Sequence, residues 1–333
     1  MKRIEGLRAQ LPPFCGAFFL GIAQTTSTLT RLNYAYDLRI FFEYLRENVE
    51  SFVGKSNTEI KASDLDAITT LDIELYAGWL STRQINGKLQ SNSPVTLMRK
   101  LASLRSFFAH LFKKGMITKN VLPTVDLPKL HEKPITRLDK KEVGKVLDAT
   151  QTPYSLTDGQ RRFYPATALR DETIIVFFLT TGIRVSELVG LDASDVDMDN
   201  GSFRVTRKGG NQEILFMPEE LKDQMDKYFS EMEIEHGEKR PLFLSLQNKR
   251  ICTRAVQNLV KKYSRVAVPL KNISPHKLRS TFGTNLYKAT GDIYVVASML
   301  GHKDVNTTKK HYAAITDDIR KAAAERVRLI DDE

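Results

Sequence analysis

Apolar residues recur at helical spacing in three stretches of the first third of the chain. The first stretch begins at Thr28, and the second follows Thr69, which is suited to cap a helix, and ends in polar residues at 86–93. The third begins at Pro94, a residue favoured in a first helical turn, and stops at Gly115. In each stretch the opposite side is polar, which is typical of amphipathic helices. We therefore predict an all-helical N-terminal third.

The remaining two thirds are predicted to be mainly helical, with one exception. Between Ser202 and Met217, apolar residues alternate with polar ones on both sides of a Lys-Gly-Gly sequence at 208–210. Alternation with a period of two around a glycine turn predicts a β-hairpin. Upstream, residues 120–134 combine three prolines with basic residues, a composition that resists helix and predicts an extended linker between two domains.

Size and charge point to a two-domain protein that binds nucleic acid. The 333 residues exceed what one hydrophobic core usually holds. The 50 lysines and arginines against 40 aspartates and glutamates give a net charge of +10, which is expected of a protein that binds a polyanion. Many basic proteins, however, bind no nucleic acid. Arg99, Lys100 and Arg105 are predicted to lie on the polar side of the third helix and to contact DNA; the alternative is an ordinary solvated face.

The cysteines and the apolar residues near the N-terminus exclude several classes of protein. Cys15 and Cys252 match neither a metal-ligand spacing nor a disulfide framework, which favours a reducing cytoplasm. The apolar stretch at 14–23 is too short to span a bilayer and lacks a convincing cleavage site after it. We predict a packed N-terminal segment and no membrane partner.

Three sequence elements carry residues suited to phosphodiester transfer, which without a metal needs a nucleophile, fixed cations and an acid for the leaving oxygen. The first element is found where a very apolar helix breaks at Gly182 and presents Arg184, with Glu187 one turn further on. An arginine on a buried support suits bidentate contact with phosphate. A structural ion pair between Arg184 and Glu187 is an equally good interpretation of these residues alone.

The second element is a helix start at 274–279, where serine is suited to the cap and proline to the first turn. His276 and Arg279 then share one face, and the helix N-terminus adds its own affinity for phosphate. The alternative is a capping histidine followed by a solvated arginine.

The third element is Gly301-His302, which ends a predicted helix ten residues before Tyr312. A tyrosine hydroxyl has a pKa near 10 and needs nearby cations or a base to become a nucleophile. Tyr287 and Tyr294 compete for this role, and the spacing from His302 favours Tyr312.

Lys208 lies at the tip of the predicted hairpin. From this flexible position an ammonium group can reach a scissile phosphate and protonate the leaving 5′ oxygen. Lysines in turns are more often only solvated, so this assignment depends on the other residues of the set.

In their order along the chain, these residues resemble the catalytic domain of the tyrosine recombinase (phage integrase) family. The shared order is an arginine, a hairpin lysine, His-x-x-Arg, Gly-His and a tyrosine, and the resemblance extends over nearly the whole chain. It is strongest to the Xer branch, through the sequences at 204–210 and 275–279 and the expectation that no additional arm-binding domain is present. Ser280 stands where many relatives carry a histidine, at a position outside the core set.

The resemblance implies a mainly α fold in which two domains form a clamp around DNA. An N-terminal extension (1–23) precedes a helical, SAM-like core-binding domain (24–128) and a linker (129–135). The catalytic domain (136–333) is expected to be mainly helical with a small antiparallel β-sheet. It ends in an interaction helix marked by apolar residues at helical spacing within 315–330, which docks into a neighbouring subunit or, alternatively, into its own chain.

The resemblance also implies a role for each residue of the site, with no metal and no other cofactor. Arg184 and Arg279 are expected to clamp the phosphate. Lys208 is the expected general acid, and Tyr312 is the expected nucleophile. His276 and His302 are expected in the active site, with Glu187 as an acidic neighbour. Arg207 is expected to contact DNA.

The implied partner is double-stranded DNA with a specific recombination site. A homotetramer is expected to join two sites and exchange strands through a 3′-phosphotyrosyl intermediate and a Holliday junction, with a DNA translocase or directionality factor as a candidate controlling partner. In the Xer branch the implied task is resolution of chromosome dimers, in chromosome partition and cell division. The alternatives are integration or transposition of a mobile element, relaxation of one duplex as by a type IB topoisomerase, and DNA-binding regulation without catalysis. The last is disfavoured because every catalytic position is filled.

Overall fold

The structure is a computed structural model that describes residues 2–85, 87–126, 136–154, 156–207, 209–301 and 305. The chain divides into two compact units, residues 1–133 and residues 134–333. Each unit buries a hydrophobic core of its own. No helix in the described ranges combines the length and the apolar composition that crossing a membrane requires.

The N-terminal unit is built from helices whose start signals are local. Its described α-helices are α1 (Lys2–Arg8), α2 (Cys15–Gly21), α3 (Thr28–Asn48), α4 (Thr70–Ser81) and α5 (Pro94–Lys113). Ser27, Thr69 and Ser93 cap α3, α4 and α5, since each side chain accepts a hydrogen bond from a backbone N–H of the first turn. Short 3-10 helices at 62–67 and 122–124 complete the unit.

The apolar segment near the N-terminus packs into the core of this unit. Cys15, Phe18 and Phe19 are buried, and the ring of Phe18 lies edge-on to that of Phe107, 5.3 Å away between centroids. Burial raises the pKa of the Cys15 thiol above its ordinary value. Residues 15–21 are therefore an integral part of the helical unit.

The N-terminal unit also contains a hairpin, which the prediction of an all-helical unit did not include. β1 (Thr82–Ile85) pairs antiparallel with β2 (Lys88–Ser91), with Thr82 opposite Ser91. Each strand is only four residues long, and apolar residues do not alternate along it, so no strand pattern is visible in the sequence.

The second unit is mainly helical with one small sheet, as predicted. Its described α-helices are α6 (Lys140–Gln151), α7 (Asp158–Arg161), α8 (Tyr164–Thr181), α9 (Val185–Leu188), α10 (Glu219–Glu231), α11 (Thr253–Ala267), α12 (Pro275–Thr290) and α13 (Ile293–Met299). The antiparallel sheet has the order β3 (Val196–Asp197), β4 (Ser202–Thr206) and β5 (Gln212–Phe216). The predicted hairpin is β4–β5, with Thr206 opposite Gln212, and the two-residue strand β3 adds to it.

α8 runs through the centre of this unit and supports the candidate site. Its residues Phe177 and Phe178 are fully buried, and it packs against α6, α10 and α12. Asp171 of α8 accepts hydrogen bonds from the Lys262 ammonium (2.8 Å) and the Tyr263 hydroxyl (3.1 Å) of α11. These contacts fix the helix from which the chain emerges towards Arg184.

Candidate active site

The chain leaves α8 through a left-handed turn at Gly182, where φ is 61°. A Cβ atom at this position would lie 2.3 Å from Phe282 Cδ1 and 2.9 Å from Leu300 Cδ2, so glycine is required for space as well as for conformation. Arg184 follows directly and precedes α9, with 33% of its side chain exposed. The end of a buried helix thus presents a guanidinium group at the surface.

Glu187 holds Arg184 from the first turn of α9. The Arg184 backbone N–H donates to Glu187 Oε2 (3.0 Å), and Arg184 Nη1 donates to Oε1 (2.8 Å). Burial raises the pKa of Glu187, but the hydrogen bonds from Arg184 and the charges of Arg207 and Arg184 outweigh burial and keep that pKa below its ordinary value. The buried carboxyl is therefore an ionised partner that fixes the arginine.

Arg184 and Arg279 meet at the same short stretch of backbone. Arg184 Nη2 donates to the carbonyl oxygen of Gly301 (2.9 Å). Arg279, buried on α12, donates through Nη2 to the carbonyl oxygen of Leu300 and through Nη1 to that of Gly182. Two arginines that are far apart in the sequence are brought together at the point where the chain leaves α13.

His276 lies one turn before Arg279 in the first turn of α12, and it is exposed. Pro275 takes the first helical position as predicted. Ser274 occupies the N-cap position, but its side chain makes no capping hydrogen bond, unlike the prediction. The helix start therefore offers a surface imidazole above a buried guanidinium.

Arg207, which was predicted as a DNA contact, is held between two carboxylates. Its Nη1 donates to Glu187 Oε2 (2.9 Å) and its Nε to Glu213 Oε2 (2.7 Å), and only 10% of the side chain is exposed. A Cβ atom on Gly301 would lie 2.8 Å from Arg207 Cζ, so the guanidinium packs directly on that glycine. Arg207 is thus part of the same cluster as Arg184.

Lys208, His302 and Tyr312 lie outside the described residues, as does the predicted interaction helix within 315–330. Lys208 and His302 directly follow two residues of the cluster, Arg207 and Gly301, in the sequence.

The two competing tyrosines differ in burial. Tyr287 is buried in a small apolar cluster with Phe282, Val296 and Leu300. Tyr294 lies on α13 with 64% of its surface exposed. The nucleophile predicted from the sequence stays Tyr312.

The prediction that Lys100 lies on the polar side of its helix is wrong. Lys100 is buried, and its ammonium donates to Asp37 Oδ1 (3.1 Å), because Asp37 of α3 is itself buried and draws compensating donors inward. Arg99 forms a two-pronged contact with the same carboxylate, although 47% of its side chain is exposed. Arg105 donates to the carbonyl oxygens of Leu122 and Val125.

The role of Arg207 as a partner of Glu187 was missed in the sequence. The available signal was the hairpin itself, since Glu213 faces Val205 in the register and therefore lies beside the strand end that leads into Arg207. No local pattern could have paired Arg207 with Glu187, which is 20 residues away on another element.

A mainly helical unit in which two arginines converge on the backbone of residues 300–301 fits one class of enzymes, those that transfer DNA strands through a tyrosine. Comparison with known proteins agrees. Residues 136–318 match the phage integrase family, and residues 18–115 match the phage integrase N-terminal SAM-like domain. The chain belongs to the phage integrase family and is a site-specific tyrosine recombinase, a DNA strand transferase.

Two relatives and one solved structure illustrate the similarity. The tyrosine recombinase XerC of Syntrophus aciditrophicus (strain SB) is 30% identical over 302 residues, which cover 89% of this chain and 90% of the relative. Tyrosine recombinase XerC of Caldanaerobacter subterraneus subsp. tengcongensis is 32% identical over 323 residues, or 93% of this chain and 86% of the relative. The fold is similar to that of a lambda integrase tetramer bound to a Holliday junction, with a TM-score of 0.63 and 16% identity over 90% of this chain and 75% of that one.

Proposed function

We propose that this chain cuts DNA by forming a covalent bond between the Tyr312 oxygen and the 3′ phosphate, which leaves a free 5′ hydroxyl. The observation that carries the proposal is the meeting of Arg184 and Arg279 at the carbonyl oxygens of residues 300–301. Fixed guanidinium groups stabilise the charge that a phosphate gains in the transition state. Within the described residues, the contacts of Arg184 use two of its five side-chain N–H donors, so further donors can face phosphate oxygens.

In the cleavage step, the Tyr312 oxygen bonds to phosphorus while the bond from phosphorus to the 5′ oxygen breaks. Lys208 gives its proton to that oxygen, and the tyrosine proton passes to a histidine of the site, His276 or His302. One phosphodiester replaces another, so the reverse attack by the 5′ hydroxyl of a partner strand needs no ATP. Glu187 keeps Arg184 in position throughout.

The assembly we propose is a homotetramer on two recombination sites, in which each chain closes its two domains around DNA and strands pass through a Holliday junction. The domain limits we propose are an extension at 1–23, which packs into the helical unit, a DNA-binding domain at 24–128, a linker at 129–135 and the catalytic domain at 136–333. Support comes from the similarity of the fold to a recombinase tetramer on a Holliday junction. The net charge of +10 favours DNA as the partner.

The physiological task we propose is resolution of chromosome dimers in the cytoplasm. The relatives that carry the name XerC share 86–90% of their length with this chain, which supports the Xer-like role over that of a mobile-element integrase. A DNA translocase or directionality factor as a controlling partner stays a prediction.

The test is a covalent adduct on a nicked suicide duplex, whose site is first selected from random DNA by binding. We expect an adduct that resists denaturation with the wild type and none with Tyr312→Phe. Tyr294→Phe is the matched control, because Tyr294 is an exposed tyrosine of the same unit, and it should retain the adduct.

An adduct that survives Tyr312→Phe would move the nucleophile to another residue. Tight binding without any adduct would favour a regulator. Two-site plasmids separate the remaining possibilities, since recombination joins the sites, whereas a topoisomerase-like activity relaxes a plasmid that carries one site.

A further inference from the structure

We infer that Arg207 is a positioning residue for Arg184, and that it acts through Glu187. The inference rests on the proposed function, because it assigns the residue that orients one of the two phosphate-clamping arginines.

The contacts form a chain of alternating charges. Glu187 Oε1 accepts from Arg184 Nη1 (2.8 Å), and Glu187 Oε2 accepts from Arg207 Nη1 (2.9 Å). Arg207 Nε continues the chain to Glu213 Oε2 (2.7 Å). The two guanidinium groups therefore bind different oxygens of the buried Glu187 carboxylate, and Oε2 also accepts from the Arg184 backbone N–H (3.0 Å). These contacts fix the rotation of the carboxylate and the direction in which it holds the Arg184 guanidinium.

Arg207 also sets the charge that Arg184 presents. Without Arg207, the buried Glu187 would be the ionic partner of Arg184 alone, and its negative charge would offset the guanidinium that has to face the phosphate. With Arg207 in place, two positive groups share that carboxylate, and more of the charge of Arg184 remains available.

The backbone at Gly301 ties both arginines to one support. Arg184 Nη2 donates to the Gly301 carbonyl oxygen, and Arg207 Cζ packs so closely that a Cβ on Gly301 would approach it to 2.8 Å. A displacement of Arg207 would therefore reach Arg184 by two routes, through the carboxylate and through the glycine.

The test is a double-mutant cycle of single-turnover cleavage on the suicide duplex with the selected site. We expect Arg207→Ala to slow cleavage about ten- to a hundredfold, since small misplacements of catalytic groups have effects of this size. If Arg207 acts through Arg184, the double variant is no slower than Arg184→Ala alone. Arg204→Ala is the matched control and should cleave at the wild-type rate, because Arg204 lies in the same hairpin, has 48% exposure and pairs with Asp195.

Modified substrates keep the cycle informative when Arg184→Ala is too slow to measure. A neutral methylphosphonate at the scissile position removes the charge that Arg184 has to neutralise, so the defects of both single variants should shrink together. A defect of Arg207→Ala that persists there, or that multiplies with that of Arg184→Ala, overturns the inference. Rescue by a 5′ phosphorothiolate, whose sulfur leaves without a proton, also overturns it, because Arg207 would then serve the general acid Lys208.

A measurement without cleavage separates this inference from the proposed function. The solvent exchange of the Arg184 Nη–H groups, whose NMR signals are assigned through Arg184→Lys, should be at least about tenfold faster in Arg207→Ala, because these groups donate to Glu187 and Gly301 in the wild type. It should be unchanged in Arg204→Ala. Unchanged exchange in Arg207→Ala refutes the positioning role, whereas absence of an adduct from the wild type refutes only the proposed function.

Discussion

Glu187 is a buried residue whose ionised form is maintained by its neighbours. Its carboxylate accepts from Arg184 and Arg207, and it reaches both arginines because its two oxygens point to different elements. The balance between the burial of a charge and its compensation makes the stability of the catalytic unit dependent on pH.

We expect Glu187→Gln to lower the free energy of unfolding by about 3 kcal/mol at neutral pH, since it leaves two arginines beside a neutral amide. The folded pKa of Glu187 lies below its unfolded value of about 4.3, so the contribution is fully present above that value and is lost as pH falls through the folded pKa. Urea unfolding of both proteins, from neutral pH down to about pH 3, measures the difference. A difference that does not shrink towards acid pH contradicts the assignment.

Gly182 allows a comparison between backbone strain and steric overlap. Both Gly182 and Gly201 have positive φ, but a Cβ atom would meet Phe282 only at the first and open space at the second. Gly201→Ala should cost about 1 kcal/mol for its conformation, and Gly182→Ala a further 1–3 kcal/mol, roughly, for the displaced ring. Urea denaturation of the two variants measures both terms, and equal losses would mean that the ring moves freely.

At the scale of helices and strands, the sequence predicts those elements that are determined by capping residues, apolar spacing and turns. α3, α4 and α5 follow from their apolar spacing and their capping serine and threonine residues, and β4–β5 follows from alternation around a glycine turn. β1–β2 could not be predicted in this way, because its pairing depends on backbone hydrogen bonds between polar segments. The order of the site residues is visible in the sequence, but their proximity requires α8, α12 and α13 to be packed.

The burial of Lys100 is visible in the spacing of residues along α5. It stands three positions after Leu97 and four before Leu104, so helical spacing alone places it on the apolar face of α5. A buried lysine needs a carboxylate partner. The identity of that partner, Asp37, follows from the packing of α3 against α5 and not from the sequence of α5.

This placement predicts that Lys100→Met leaves the salt dependence of DNA binding unchanged. A phosphate contact would lower the slope of log K against log salt by about 0.9, whereas an ammonium bound to Asp37 contributes none. The variant should instead lose about 1–3 kcal/mol of stability, the cost of removing a charged partner from a buried carboxylate. Lys55→Met, which opens the partly exposed pair with Asp64, is the control and should lose less than about 1 kcal/mol.

At the scale of the whole molecule, two separate cores predict two independently folding units. Fragments 1–126 and 136–333 should each unfold cooperatively in urea, with m-values that sum to about that of the full chain, since m follows the surface exposed on unfolding. A fragment without a cooperative transition would show that its core is incomplete.

The same fragments test the proposed clamp. If both units contact phosphates, the salt slope of the full chain on the selected duplex is about the sum of the slopes of the fragments. A full-chain slope equal to that of one fragment would leave the other unit without a role in DNA binding.

The two cysteines differ in exposure, which allows the protein to be labelled at one site. Cys15 is enclosed in the N-terminal core, whereas Cys252 is exposed just before α11 of the catalytic unit. A thiol-directed fluorophore will therefore react with native protein at Cys252 alone. The unaltered chain already carries a single reporter position, from which the arrival of DNA and of further subunits can be read as a change in emission.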